Sequence, residues 1–497
     1  RDMRSQPNLL FLFTDEQAAT TMAAYGNRLI ETPNLNKLAS DSIVFENAYV
    51  TQPVCTPSRS SILTGLYPHT TGCTENNLPL KPETPCLPEL GDFEGYRMAY
   101  YGKWHLGDEV FAQHGFDQWR SIEDGYRKYY SEGRGLNRHS TYHDYLVDSG
   151  FEPNTTSPDG FRAFTRGFCA SLPEEYGKPA YLAHESSRFI RENRDHPFIL
   201  YVNFLEPHMP FFGPRDDQYD PQRVPLPANF HHELTEDLPL KYRLFQRGYY
   251  ESGHGKFPLK TEGDWRRLIA NYWGLVSLVD THMGTILDTL ENCGLTDDTI
   301  IVFTSDHGDM MGSHRLLAKC TMFEEAVKVP LLLRIPGIES SGQSVKDPVG
   351  QIDLVPTLLE AMRQAIPSGL EGHSWVPYLE RKTELAEKNV FIEWSGYNSG
   401  FGDILGGTNR LDCWREMVSE DVLLGALGDP MRTIITPDKC KYTFSIRGED
   451  QLYDLRTDPY ELANLANEPQ YDDLVKELRS EIIRWQKRTG DAVISQR

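Results

Sequence analysis

The chain has 497 residues, with 50 Lys and Arg against 72 Asp and Glu, for a formal net charge of −22 at neutral pH. That excess of negative charge argues against nucleic acid or an anionic membrane surface as the main partner, and no apolar run approaches the roughly 20 residues that cross a bilayer. Hydrophobic content of 39% and charged content of 25% are ordinary for a globular protein, and the length predicts one large α/β domain carrying a smaller one.

Apolar, β-rich runs recur at 8–13, 43–50, 97–101, 198–204, 299–303 and 330–335, and helical patterns at 34–42, 57–64, 264–290 and 353–362. Continuous apolar strands alternating with helices predict a mostly parallel sheet flanked by helices on both faces. Two stretches, about 121–181 and 215–262, are rich in Tyr, Gly, Pro, His and charge without clear periodicity, and read as insertions over the sheet edge that shape a pocket. After about residue 372 come short strands at 390–394, 432–436, 442–446 and 451–454, then a helix over 472–488 with Leu474, Leu478, Ile482 and Trp485 at helical spacing. This predicts a small C-terminal antiparallel sheet packed by one helix, dividing the chain into a large α/β domain (1–375) and a C-terminal α+β subdomain (376–497).

Eight scattered cysteines are too few for a disulfide framework, and no Cys-x-x-Cys pair suggests structural zinc. Buried free thiols are the preferred reading, with a Cys73–Cys86 bridge as the alternative. The opening Arg1-Asp2-Met3 lacks a basic-then-apolar leader, which leaves the compartment open, with periplasm or secretion preferred.

In an open α/β sheet, ligands bind beyond the carboxyl ends of the strands, and polar residues gather there in this chain. Asp15 and Glu16 follow the first run, Glu206-Pro207-His208 follow the run at 198–204, and Asp306 and His307 follow the run at 299–303, within Thr304-Ser305-Asp306-His307-Gly308-Asp309. Carboxylates converging from three strand ends suit a hard divalent ion, Ca²⁺ or Mg²⁺ rather than zinc. A histidine donor also admits Mn²⁺.

The most specific segment is Cys55-Thr56-Pro57-Ser58-Arg59-Ser60-Ser61-Ile62-Leu63-Thr64-Gly65, with Pro57 suited to a first helical turn and Arg59 four residues beyond Cys55. A nucleophile at that helix start feels the positive end of the dipole, which favours an anion beside it. The segment resembles the signature of the type I, formylglycine-dependent sulfatases of the alkaline phosphatase superfamily. Tyr101-Gly102-Lys103-Trp104-His105-Leu106-Gly107 carries a second resemblance, with Lys103 and His105 expected on one side of an extended chain, and Leu452-Tyr453-Asp454-Leu455-Arg456-Thr457-Asp458-Pro459 is similar to the carboxyl-terminal subdomain of these enzymes.

The resemblance implies that Cys55 is oxidised to formylglycine by a formylglycine-generating enzyme. The hydrated aldehyde offers two hydroxyls, one to attack sulfur and one to expel sulfate, where a thiol would end as a stable S-sulfate. It further implies Asp15, Asp306, His307 and residue 55 as metal ligands, and Arg59, Lys103, His105, His208 and Lys319 as catalytic residues. Where many relatives have a second Asp, this chain has Glu16, so Glu16 or Gln17 is the expected fifth ligand. The implied reaction is hydrolysis of a sulfate ester on a small molecule or oligosaccharide, a carbohydrate preferred, with Arg59, Lys103 and Lys319 on the sulfate oxygens.

Phosphonate monoester or phosphodiester hydrolysis, aryl sulfate hydrolysis and, more remotely, non-catalytic binding of sulfated glycans are the alternatives. Tyr126, Tyr129, Tyr130, Tyr142, Tyr145, Trp265, Trp394 and Tyr397 are candidates to stack on sugar rings, and His143, His254, Arg266 and Arg432 to read hydroxyls or a second anion. The sequence leaves the sugar, the sulfated position and the oligomeric state open.

Overall fold

A computed structural model describes residues 7–396 and 409–493. Its main sheet has eight strands among the described residues: β1 (Asn8–Asp15), β2 (Ile43–Phe45), β3 (Arg97–Gly102), β4 (Gln118–Arg120), β5 (Phe198–Pro207), β6 (Thr299–Ser305), β7 (Leu331–Arg334) and β8 (Ser344–Val345). Across the sheet they run β8-β2-β7-β6-β1-β5-β3-β4. Every neighbouring pair is parallel except the two made by β7, with β6 and with β2, as the alternation of strands and helices predicts.

The helices that bear on the site and its support are α1 (Pro33–Ser40), α2 (Cys55–Thr64), α3 (Lys178–Glu192), α4 (Leu240–Ser252), α5 (Glu262–Asn292), α6 (Leu354–Ala361) and α7 (Asp472–Thr489). The two-residue period of a strand sorts β1 between two cores. Leu9, Phe11 and Phe13 pack with Ile62 and Leu63 of α2 and with Leu354, Val355 and Leu358 of α6. Leu10 and Leu12 pack on the other face with Leu35 and Leu38 of α1, Leu182 and Phe189 of α3, and Val279, Met283 and Ile286 of α5. Each such fully buried side chain contributes about 1.5–3 kcal/mol, so β1 is fixed from both sides and its carboxyl end is held rigidly.

The second sheet is antiparallel, β9 (Val390–Trp394), β10 (Met431–Ile435), β11 (Cys440–Ser445) and β12 (Gln451–Asp454) in that order. Leu478, Ile482 and Trp485 of α7 bury against Phe391, Ile434, Tyr442 and Phe444, the face that their spacing predicts.

Two expectations change. The run at 43–50 divides at Glu46-Asn47, where the Glu46 N–H donates to Val345 and the Asn47 amide to the Lys346 carbonyl. Ala48–Tyr49 then pairs with Lys328–Val329 and Val349–Gly350 outside the main sheet. The stretches read as irregular contain α4, the helix Thr141–Asp148 and the start of α3. In α4, Tyr242, Phe245 and Tyr249 form a buried stripe that cationic neighbours and Gly248 conceal in the sequence. All eight cysteines are free, including Cys73 and Cys86. Among the described residues no helix is long and apolar enough to cross a membrane.

Candidate active site

Three adjacent parallel strands deliver the central residues. β1 lies between β5 and β6, with Thr14 opposite Ser305 and Asp15 opposite Pro207, so Asp15, Asp306 and His208 emerge side by side. β3 joins them with Gly102 opposite Asn203. Gly102 has φ of 115°, and a Cβ there would stand 2.0 Å from the Asn203 carbonyl oxygen, so only glycine makes the turn that aims Lys103 inward. On the other side, α2 begins at Cys55, whose side chain lies at the positive end of the helix.

Arg59 is fully buried and organises the carboxylates. Its Nε donates to Asp306 Oδ2 at 2.9 Å, one terminal nitrogen donates to Asp15 Oδ2 at 2.9 Å and Asn203 Oδ1 at 3.0 Å, and the other to the Lys103 carbonyl at 2.8 Å. Lys103 Nζ lies 2.5 Å from Asp15 Oδ2 and 3.8 Å from Cys55 Sγ. These bonds take the Oδ2 atoms and turn the two Oδ1 atoms toward each other's neighbourhood. Burial alone would raise the Asp15 carboxyl, but Lys103, His208, Arg59 and His307 hold it well below the ordinary carboxylate range. Burial, then the Asp15 charge, pushes the Cys55 thiol up to about 12, so it stays protonated and unreactive as encoded.

Asp15, Cys55, Asp306 and His307 form a group of four donors, all buried. His307 Nε2 is 3.6 Å from Asp15 Oδ1, 3.5 Å from Asp306 Oδ1 and 3.2 Å from Cys55 Sγ, and Cys55 Sγ is 3.7 Å from Asp15 Oδ1. His307 Nδ1 donates to the Gly308 carbonyl at 2.9 Å, which leaves the Nε2 lone pair facing the group, as a ligating histidine requires. Donor atoms about 3.5 Å apart are at the spacing of neighbouring ligands around one ion, so these oxygen and nitrogen atoms suit a divalent cation.

Glu16 stands beside this group rather than in it. With φ of 68°, it donates its backbone N–H to Asp306 Oδ1 at 3.1 Å and sends its carboxylate toward Lys319 Nζ at 3.3 Å and His208 Nε2 at 3.5 Å. Its Oε1 is buried with no hydrogen-bond partner, and with Asp15 and His208 it forms a second, overlapping donor group. Burial raises the Glu16 carboxyl well above its usual value, Lys319 working against that and Asp309 with it. Gln17 turns away: its amide bonds Thr14 at 2.9 Å and Thr21 at 3.1 Å.

His208 donates from Nδ1 to the Met209 carbonyl at 2.7 Å, so Nε2 accepts from Lys319 Nζ at 3.2 Å. His105 has φ of 58° and does not continue an extended chain past Lys103. Its carbonyl accepts from Thr56 at 2.7 Å, its Nε2 bonds Asn77 Oδ1 at 2.7 Å, and its ring lies 4.5 Å from that of Tyr126. The structure thus brings Asp15, Glu16, Cys55, Arg59, Lys103, His208, Asp306, His307 and Lys319 into one buried cluster, with His105 at its rim.

Sequence reasoning missed two residues that hold this cluster. Asn203 joins Arg59 to the Phe13 carbonyl and is a lone polar residue inside an apolar run, a legible signal. Glu109, buried, accepts the Trp104 and His105 N–H groups at 3.1 and 2.8 Å and so shapes the Lys103–His105 loop; nothing in the sequence marks it. A cavity of about 980 Å³ opens at the rim, lined by Asn76, Asn77, His105, Tyr126, Arg166 and Lys178 among others. Of the aromatic candidates described, Tyr126 lines it. Tyr142, Trp265 and Trp394 are core residues, Arg432 pairs with buried Asp491, Arg266 bonds the Val224 carbonyl, and His143 and His254 are buried. Tyr397 lies outside the described residues.

The family model for Sulfatase matches residues 7–365, and the chain belongs to the sulfatase family, within the alkaline phosphatase superfamily. An ulvan-active sulfatase of Formosa agariphila is 26% identical over 99% of this chain and 83% of its own length. An N-acetylglucosamine-6-O-sulfatase of Bacteroides thetaiotaomicron is 26% identical over 99% and 88%. The phosphonate monoester hydrolase of Silicibacter pomeroyi shares the fold, with a TM-score of 0.77 at 23% identity over 99% of this chain and 97% of that one. The protein is accordingly an enzyme of the sulfuric ester hydrolase class.

Proposed function

We propose that this enzyme removes sulfate from a carbohydrate ester, using residue 55 as a formylglycine and a divalent ion, Ca²⁺ for preference, held by Asp15, Asp306 and His307. The observation that carries this is the buried set of donors converging on Cys55 at the head of α2, 3.2 Å from His307 Nε2. Charge supports it too. Asp15 and Asp306 are balanced by Arg59 and Lys103, so a divalent ion with Lys319 nearby makes the pocket positive, as an anionic substrate of a chain of net charge −22 requires.

The ion supplies neutralisation of the sulfate oxygens, and conversion of Cys55 supplies the paired hydroxyls that a thiol lacks. The chain's own residues do the rest. Arg59 spends its donors on Asp15, Asp306, Asn203 and the Lys103 carbonyl, so it holds the carboxylates rather than the substrate. Lys103, 3.8 Å from Cys55 Sγ, and Lys319 face the sulfate oxygens. Lys319 gives its proton to the departing alcohol, and His208 Nε2, fixed as an acceptor by the Nδ1 bond to Met209, holds the ammonium in line. His105, with its ring proton on Nε2 toward Asn77, presents Nδ1 as the base for the second hydroxyl.

The carbohydrate preference is supported by the cavity of about 980 Å³ at the His105 rim and by the names of the two relatives above. The shared fold of the phosphonate hydrolase keeps a second reading in view. Steady-state rates on an aryl sulfate and an aryl phosphonate, with Ca²⁺ present and after chelation, test the proposal. Higher kcat/KM on the sulfate, lost on chelation, is expected; faster turnover of the phosphonate would overturn it.

A further inference from the structure

Past Tyr126 the cavity wall carries a charged cluster, Glu123 and Lys178 buried and Arg166 partly exposed, with no part in the chemistry above. Glu123 lies between two cations, its Oε1 2.7 Å from Lys178 Nζ and its Oε2 3.1 Å from Arg166 Nε. A terminal nitrogen of Arg166 also donates to the Tyr126 hydroxyl at 2.8 Å, while the Tyr126 ring lies 4.5 Å from that of His105. One tyrosine side chain therefore separates the guanidinium from the catalytic rim, close to the span of a single sugar ring with its substituents. Lys178 is 4% exposed, and its only hydrogen bond among the described residues goes to Glu123, which leaves two ammonium donors directed elsewhere.

Lys178 and Arg166 line the large cavity, and both also line a small one of about 30 Å³ together with Glu206 and His208. They stand between the space open to substrate and the histidine that holds Lys319. Lys178 is the buried cation of the two, Arg166 being partly exposed, and a buried ammonium with donors to spare favours a further anion against it. Glu206 does not answer it fully: burial pushes its carboxyl up to about 7, with Lys178 pulling it back, whereas Glu123, despite burial, is held down to about 2 by Arg166 and Lys178 and stays charged. The other groups facing the ammonium are Cys169 and the Tyr142 ring, 6.0 Å away, and neither carries a compensating charge at neutral pH.

We infer that Lys178, backed by Arg166, forms a second anion subsite, and that the preferred substrate bears a further negative group, a carboxylate or a second sulfate, on the sugar that carries the scissile ester. The inference rests on the sulfate-ester reading above and narrows it from sulfated sugars in general to dianionic ones. It also fits the acidic chain, since a short-range subsite selects a second charge that the long-range field would discourage.

The test uses the converted, Ca²⁺-loaded enzyme and a panel of monosulfated hexosides covering each ring position. Each is paired with the same ester carrying either a C6 carboxylate or a second sulfate, and an aryl sulfate reports the bare chemistry. For whichever regioisomer is turned over, the dianionic member is expected to show kcat/KM about tenfold higher or more, mainly through KM. Which of the two anions gives the larger ratio identifies the group. In Lys178→Met that ratio should collapse to about one, and in Lys178→Arg it should be largely retained, a pattern that a clasp merely holding the insertion would not produce. Equal preference within pairs for the wild type, or equal loss on both members in Lys178→Met, overturns the subsite while leaving the sulfatase reading standing. Absence of turnover on every sulfate ester, the aryl sulfate included, overturns both.

Discussion

In the C-terminal subdomain Arg432 takes Asp491 through bonds of 2.7 and 3.0 Å while also donating to the Trp394 and Met431 carbonyls, and Lys441 lies 2.9 Å from Glu461 and from Glu324 of the main domain. Beyond the ends of β1 and β6, Arg59 and Lys103 are just as buried, yet their bonds to Asp15 and Asp306 are made to the Oδ2 atoms and leave both Oδ1 atoms and His307 Nε2 converging. The Arg432–Asp491 pair is closed, each charge answered by a partner in place. The strand-end cluster is open, its donors aimed at a point rather than at one another. Depth of burial and number of ion pairs do not distinguish the two regions; what distinguishes them is where the unspent donor and acceptor directions point.

The sharpest way to break this contrast is at residue 55. Cys55→Ser supplies one hydroxyl but not two, and multiple turnover should fall by about 10⁴-fold or more, read as steady-state rate on an aryl sulfate. Asp306→Asn strikes the converging atoms and should lower kcat/KM by about 10³-fold and abolish the rise in Tm that Ca²⁺ gives the wild type. The closed region should behave in the opposite way. Arg432→Met leaves buried Asp491 unanswered and should cost about 4 kcal/mol of stability in denaturant titration, with kcat of the folded fraction unchanged. If Arg432→Met instead cut kcat as Asp306→Asn does, the contrast would be wrong.

Glu123 sharpens it at smaller scale. Its carboxyl is held down to about 2 from an ordinary 4.5, so its contribution is fully present above about pH 4.5 and is lost as the pH falls toward 2. Urea titrations across that window should show an acid limb of about 3 kcal/mol that Glu123→Gln flattens.

Most of the sheet was legible in the sequence because a β-strand buried on both faces is a continuous apolar run, and Asp15, Asp306 and His208 were legible because each stands among the polar residues that follow one. The Cys55 segment was legible as a resemblance. What stayed hidden is long-range. Asn203 and Glu109 act by reaching Arg59 and the Lys103–His105 backbone across the fold, and the side chain of Glu16 swings toward Lys319 through a positive φ that no local pattern announces. Lys103 and His105 diverge for the same reason: spacing places them on one face only if the chain is extended, and His105 has φ of 58°. Of the stacking candidates, Tyr142 in the first insertion and Trp265 in α5 bury themselves in the core, while Tyr126 lines the cavity.

Mass spectrometry of the tryptic peptide containing residue 55, taken on preparations of graded specific activity, reads the central claim directly. The account predicts that sulfur is replaced by oxygen at that residue in proportion to sulfatase activity, with the unconverted thiol protein inactive. Full sulfate-ester turnover by protein whose residue 55 is wholly cysteine would contradict it.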